Sequence, residues 1–446
     1  MSHHHAFPGR RSSALTALLV VAALLAVACS PSSSPTPSSV PSAAGPTPPP
    51  TASPATSAGA SSGLPSASGD AAADAIYDTV ETQVEAIRGL HAKQKVAREF
   101  IDATQLRTIL TQEFDHDSPP AYVEANERFY KALGLIPADA SLRTLSLDLL
   151  SGGVEGFYRN DEKKLYVVSK TGGPGPVERF YFAHEFDHAL QDQNSTIFSD
   201  VNGVLDQSDR VLARAAIYEG AATLLMTQWA EVNLEPSELL AVIAASSDPT
   251  AQAVFARTPP ILAEPLTYPY TTGLSYVMQV QSTGGWAGVN AYFTKMPAST
   301  EQILHPEKYT AGEAPVAVTM PSDLAARLGT GWKVPFQDTF GELQFGIWLR
   351  GAGVATATAT AAAAGWGGDR LAVMEGPNGT WAVAMHTVWD TDADAAEFDS
   401  AATVALAKAQ GTAKVLPGAG GKTRWVVVAG DATTLGRVAG VLGLAG

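Results

Sequence analysis

The chain has 446 residues, 46% of them hydrophobic, which is enough for a sizeable core and for two or three domains once the ends are set aside. Its formal charge is −15 at pH 7 and its body carries no dense Lys/Arg run, which argues against nucleic acid as a partner. Its single cysteine, Cys29, excludes an intramolecular disulfide.

Arg10-Arg11 lead into an apolar run from Ala14 to Ala28, followed at once by Cys29-Ser30. That run has the length of a signal-peptide core and is short for a membrane span. Small residues before a lone cysteine resemble a bacterial lipobox, with Ala26 standing where leucine is usual. The resemblance implies a signal peptide over 1–29 and lipidation of Cys29 as the mature N-terminus. His3-His4-His5 lies ahead of the signal core and reads as no metal site. Residues 30–70 are almost entirely Ser, Pro, Ala, Thr and Gly. Such a stretch buries too little apolar surface to offset its ordering entropy, so it reads as a disordered tether with a reach on the order of 100 Å. Anchor and tether together predict an extracytoplasmic protein held at a bacterial membrane.

A folded domain is expected over 71–350. Ile76, Val80, Val84 and Ile87 recur at helical spacing and predict a helix ending near Gly89. Thr104 is placed to cap a second helix, Pro119-Pro120 to open a third, and Asp139 or Ser141 to cap a fourth running through Leu149. His91 and His116 sit among charged residues and read as surface histidines. Two β-prone runs between Gly153 and Val168 flank Asn160-Asp161-Glu162 and predict a hairpin, whose edge could hold an extended peptide.

The next helix carries the chemistry. In Glu178-Arg-Phe-Tyr-Phe-Ala-His-Glu-Phe-Asp-His188, His184 and His188 lie one helical turn apart, with Glu185 about a quarter-turn from their line. Phe182, Ala183, Phe186, Ala189 and Leu190 fall on the opposite face as a core anchor. In this H-E-x-x-H arrangement two imidazoles bind zinc and the intervening carboxylate activates water. A catalytic zinc needs a third protein ligand. Glu219 is the best candidate, because Ala215, Ala216, Ala222 and Thr223 around it are small enough for close helix approach. Gly220 costs a helix about 1 kcal/mol relative to alanine, which predicts a packing reason for it. Asp192, Asp200, Asp206 and Glu231 are rivals, with Asp192 better placed to support a ligand than to be one. An oxyanion donor is sought among His305, Tyr268, Tyr270 and Tyr276, with His305 slightly favoured.

His184-Glu185-x-x-His188 followed by Glu219-Gly220-Ala221 resembles the gluzincin branch of zinc metallopeptidases. It also resembles bacterial lipoproteins that carry His-Glu-x-x-His and an Ile/Val-x-Glu-Gly-x-Ala segment. The resemblance implies His184, His188 and Glu219 as zinc ligands, Glu185 as general base, and a peptide or protein substrate. Many gluzincins carry a ligand-orienting aspartate four residues after the third ligand; here that position is Thr223.

Helices are predicted from Pro236 to about Arg257, around Leu274 to Gln281, and from Phe340 to Arg350. Alanine- and threonine-rich residues 351–365 read as a flexible joint. Strands at 370–374, 381–389 and 424–429, with helices at 392–408 and 432–444, predict a small α+β domain over 366–446 without a catalytic set. The expected fold is α+β: a mainly helical zincin-like domain with a small sheet, then that second domain. The expected function is that of a membrane-anchored, zinc-dependent metallopeptidase. Two alternatives stand beside it: a non-enzymatic surface binding lipoprotein on a zincin scaffold, and a zinc hydrolase of a non-peptide bond.

Overall fold

The computed structural model describes residues 71–150, 156–168, 173–247 and 249–444. The signal-like run, Cys29 and the tether through residue 70 lie outside them. The fold is mixed α+β, with a three-stranded and a five-stranded sheet among mostly helical segments.

The first helix, Ala71–Arg88, buries Tyr77, Val80 and Val84 and ends at Gly89, whose φ is +67°. The strand that follows, β1 (Ala97–Ile101), was not predicted. Its Arg98-Glu99 pair breaks the apolar signal, and Arg98 is held by Asp74, Asp78 and Glu81 of the preceding helix. The cap of the second helix falls on Asp102 rather than Thr104. The Asp102 carboxylate accepts the backbone N–H groups of Thr104 and Gln105, and the Gln105 side chain accepts the Asp102 N–H in return.

The predicted hairpin forms as β2 (Gly156–Arg159) and β3 (Lys164–Val168), with Lys163 at positive φ in the turn. β1 pairs with β3 in parallel and β2 with β3 antiparallel, in the order β1-β3-β2. The strand immediately before the motif helix is therefore central, and its edges are taken; the free edge near the site belongs to β2. Leu165 to Val168 are buried, as a continuous apolar run in a central strand requires.

The motif helix, Pro176–Asn194, opens with proline at its first turn. It is buried nearly all round over Phe180–Gln191, not only along the expected apolar face. It packs against the 26-residue helix Ser208–Asn233, which carries Glu219. A π-helical turn, Pro269–Gly273, crosses that long helix where Gly220 and Gly273 meet. A Cβ on Gly220 would lie 2.7 Å from the Gly273 carbonyl, and one on Gly273 would lie 2.5 Å from the Ala216 carbonyl oxygen. This backbone approach is the packing reason for glycine inside the helix.

In the C-terminal half, β4 (Lys333–Asp338), β5 (Trp366–Glu375), β6 (Trp381–Trp389), β7 (Thr412–Pro417) and β8 (Thr423–Ala429) pair antiparallel in the order β4-β5-β6-β8-β7. Alternate residues serve opposite cores: Leu371 and Val373 pack with Phe345 and Phe398, while Ala372 and Met374 pack with Leu324 and Leu435. His386 stacks on Trp425 at 4.1 Å between ring centres.

The joint expected at 351–365 takes another form. Residues Thr356–Ala364 are a helix with Ala359, Ala362 and Ala363 buried, because small side chains let it lie close to its neighbours. β4 also comes from before that segment, and Phe129 of the helix Pro120–Ala132 packs with Phe336 and Phe340. One core thus runs across the expected boundary.

Candidate metal centre

Each imidazole of the motif helix points its Nε2 at one carboxylate oxygen on the neighbouring helix. His184 Nε2 lies 3.1 Å and His188 Nε2 3.3 Å from Glu219 Oε2, and the two nitrogens are 3.0 Å apart. A tetrahedral site with bonds of about 2.0 Å has edges of about 3.3 Å, so the donor triangle has the size of a face of a zinc polyhedron. The donors also fit chemically, as two imidazoles and one carboxylate. His184, His188 and Glu219 can hold a metal ion. Asp192 lies elsewhere in the network: its carboxylate is taken by Lys163 and by the Tyr158 hydroxyl, at 2.6 and 2.7 Å.

The triad is deeply buried; His184 and Glu219 are fully inaccessible, and His188 and Glu185 are 5% and 3% exposed. Burial opposes charge on every member. For Glu219 that penalty is outweighed by the two histidines, which hold its carboxyl below its usual range. The same carboxylate outweighs burial at His188 and pushes its pKa up, whereas burial and the neighbouring His188 push His184 down.

Glu185 lies beside this triangle. Burial raises its pKa to about 7 against the attraction of His188, with Glu219 adding to the rise and the Tyr158 backbone N–H opposing it. That N–H belongs to β2, whose Gly156 also approaches the Glu185 side chain. The second carboxylate oxygen, Oε1, is buried without a hydrogen-bond partner.

The groups that orient the ligands were largely missed in the sequence. Gln191 Oε1 lies 3.1 Å from His188 Nδ1, and its amide donates to Asp187 at 2.7 Å and to the Tyr218 carbonyl at 2.9 Å. Asp187 in turn accepts from Arg88 Nε at 2.9 Å, both side chains being fully buried. The Arg88 guanidinium lies 4.4 Å over the Trp286 ring and also donates to Asn290. Gln191 had a readable signal, since it follows His188 by three residues on one helix face. Arg88 had none, because its partner is 99 positions away. Thr223, at the position of the expected aspartate, is buried, and its hydroxyl and His184 Nδ1 each lack a hydrogen-bond partner.

Of the oxyanion candidates, only Tyr270 reaches the site. The π-helical turn carries it, and its hydroxyl hydrogen-bonds Glu219 while its ring centre lies 6.4 Å from that of His184. Tyr276 pairs with Tyr292, and Tyr268 reaches the Thr300 carbonyl. His305, the favoured candidate, is not brought to the metal triad. Its Nε2 lies 2.9 Å from Glu342, next to the Asp209–Thr300 contact at the start of the Glu219 helix. Glu219 is ten residues further along that helix, about 15 Å away.

A family described as a domain of unknown function (DUF8575) matches residues 283–440, about a third of the chain and wholly C-terminal to the metal-site residues. Among solved structures, the chain is similar to a Chloroflexus aurantiacus protein carrying a provisional description as a hydrolase with a novel fold. That match has 18% identity and a TM-score of 0.35, and covers 54% of this chain and 88% of that one. A likeness of that size bears on neither fold nor function. No curated protein matches the chain. Among the described residues no helix is long and apolar enough to cross a membrane.

Proposed function

We propose that the chain is a zinc-dependent metallopeptidase, held outside the cytoplasm through a lipid on Cys29 and the tether that follows it. The observation that carries the catalytic part is the convergence of His184 Nε2, His188 Nε2 and Glu219 Oε2 at 3.0–3.3 Å beside Glu185. When bound there, zinc would polarise a scissile carbonyl and make water acidic enough to attack near neutral pH. Glu185 would accept the proton of the attacking water and return it to the leaving nitrogen. The Tyr158 N–H fixes one side of that carboxylate, and its buried setting raises its basicity. Tyr270 and Gln191 would hold Glu219 and His188 in place. The free edge of β2 supplies backbone groups with which an extended peptide could pair.

Glu185→Gln tests the assignment. Zinc should remain bound while hydrolysis of a general substrate such as casein disappears; unchanged hydrolysis would sink the mechanism. A second reading, a metal site kept as scaffold in a binding lipoprotein, is favoured by the burial of all four side chains. It predicts zinc without hydrolysis in the wild-type chain.

A further inference from the structure

The walls of the metal triad include the motif helix, the Glu219 helix, the π-helical turn and β2, each part of a long helix or of the sheet. One further wall differs. Three rings surround His188: those of His184 and Tyr218, at 4.7 and 5.8 Å between centres, belong to the two long helices. The third, Phe198 at 6.1 Å, belongs to the five-residue helix Ile197–Val201 that connects them. Phe198 also lies 6.5 Å from the Tyr158 ring, so this connection leans on β2, the strand whose edge is free. With Phe198 in place His188 is 5% and Glu185 3% exposed, too little for a substrate to reach them.

The connection, residues 195–207, is firmly held at its ends and weakly between them. Ser195 Oγ donates to the Gln191 carbonyl at 2.7 Å, and the Ser208 N–H donates to Asp338 at 2.8 Å. Between these anchors, Ile197, Phe198 and Val201 pack with Ala215 and Tyr218 in a small cluster of their own, separate from the core around the motif helix. Two polar ties fasten the segment to its surroundings. Asn202 Nδ2 donates to Asn160 Oδ1 in the β2–β3 turn at 3.0 Å, and Arg214 Nη1 lies 3.3 Å from both the carbonyl and the carboxylate of Asp200. The Asp200 side chain is 47% exposed, and ion pairs open to water add little stability. Segments of this kind, short and with few buried apolar contacts, are where local opening occurs without global unfolding.

We propose that residues 195–207 are a gating strap with Phe198 as its plug, and that its displacement opens His188 and the edge of β2 to substrate. The gating role rests on the metallopeptidase reading, whereas the opening itself is measured without zinc or hydrolysis. Zinc-free full chain is treated with diethyl pyrocarbonate, and labelling of each histidine is followed by mass spectrometry. His91, whose side chain is 80% exposed, gives the rate for an open imidazole. In the wild type His188 should label at least tenfold more slowly than His91. Asn202→Ala and Asp200→Ala, which cut the two ties, should each raise the His188 rate at least threefold, with hydrogen exchange in the Ser208–Asn233 helix unchanged. Casein hydrolysis by the zinc-loaded variants should rise with it. The strap is overturned if His188 labels as fast as His91 in the wild type, or if both variants leave its rate unchanged. It is also overturned if the long helix exchanges faster in step with labelling, which is general unfolding, or if hydrolysis is present but does not rise. Faster labelling with no hydrolysis in any chain supports the strap and sinks the peptidase reading; hydrolysis with unchanged labelling does the reverse.

Discussion

The two sheets sit in opposite chemical surroundings. The five-stranded sheet is sandwiched by apolar side chains on both faces, with its Trp366 and Trp389 and the Phe345 and Phe398 of helices packed on it all buried. The three-stranded sheet lies beside a helix whose centre buries two histidines, two acids and a glutamine among aromatic rings. Burying polar groups is costly unless each is paired, and here His184 Nδ1, Glu185 Oε1, Glu219 Oε1 and Thr223 Oγ1 lack partners. The sheet half also buries acids, but Asp338 and Asp369 each accept several hydrogen bonds there, whereas four unpartnered atoms gather around the histidines and Glu219. Departure from apolar packing marks the half that holds the candidate metal centre.

The largest effect that would sharpen this contrast comes from Arg88→Met. It leaves the Asp187 charge buried without its partner, at a cost of about 3–5 kcal/mol in urea unfolding. It should also lower zinc affinity about 10–100-fold, because Asp187 holds the glutamine that orients His188. Phe398→Ala should cost a similar amount, about 3–5 kcal/mol, by leaving a cavity beside Trp389 and Phe345. Its zinc affinity should equal that of the wild type; a matching loss of zinc would erase the distinction between the halves.

A smaller effect concerns pH. Glu219 is held below the ordinary carboxyl value of 4.5, so its contribution is present above 4.5 and is lost as pH falls. His188 is raised above the ordinary imidazole value of 6.5, so its contribution is complete below 6.5 and is lost as pH rises through its folded pKa. For chain stripped by a chelator, this pair should stabilise most between about 4.5 and 6.5. Zinc requires neutral histidine, so its stabilisation should grow as pH rises above that window. Melting temperature against pH, with and without chelator, reads both trends; parallel curves would contradict them.

What could be read from sequence follows the range of the interactions. The motif helix, the hairpin, Glu219 and the strands β5, β6 and β8 of the C-terminal half rest on local periodicity and turn residues. Pro377-Asn-Gly-Thr380, for example, carries positive φ at Asn378 and Gly379, as a tight turn between two strands requires. β1, β4 and β7 were not legible because their pairing partners, rather than their composition, make them strands. The alanine-rich helix at 356–364 read as a joint because small residues carry little amphipathic signal, although they allow close packing. Arg88 and Tyr270 reach the site only through the tertiary fold. His305 was favoured for lying at the end of a short helix, a position that carries no information about what the ring faces.

The central claim is that His184, His188 and Glu219 form one zinc site. Zinc content by mass spectrometry, after reconstitution and removal of loosely bound metal, tests it directly. The account predicts one zinc per wild-type chain and well under one in Glu219→Ala. Absence of zinc from the wild-type chain, or tight stoichiometric zinc in Glu219→Ala, would contradict it.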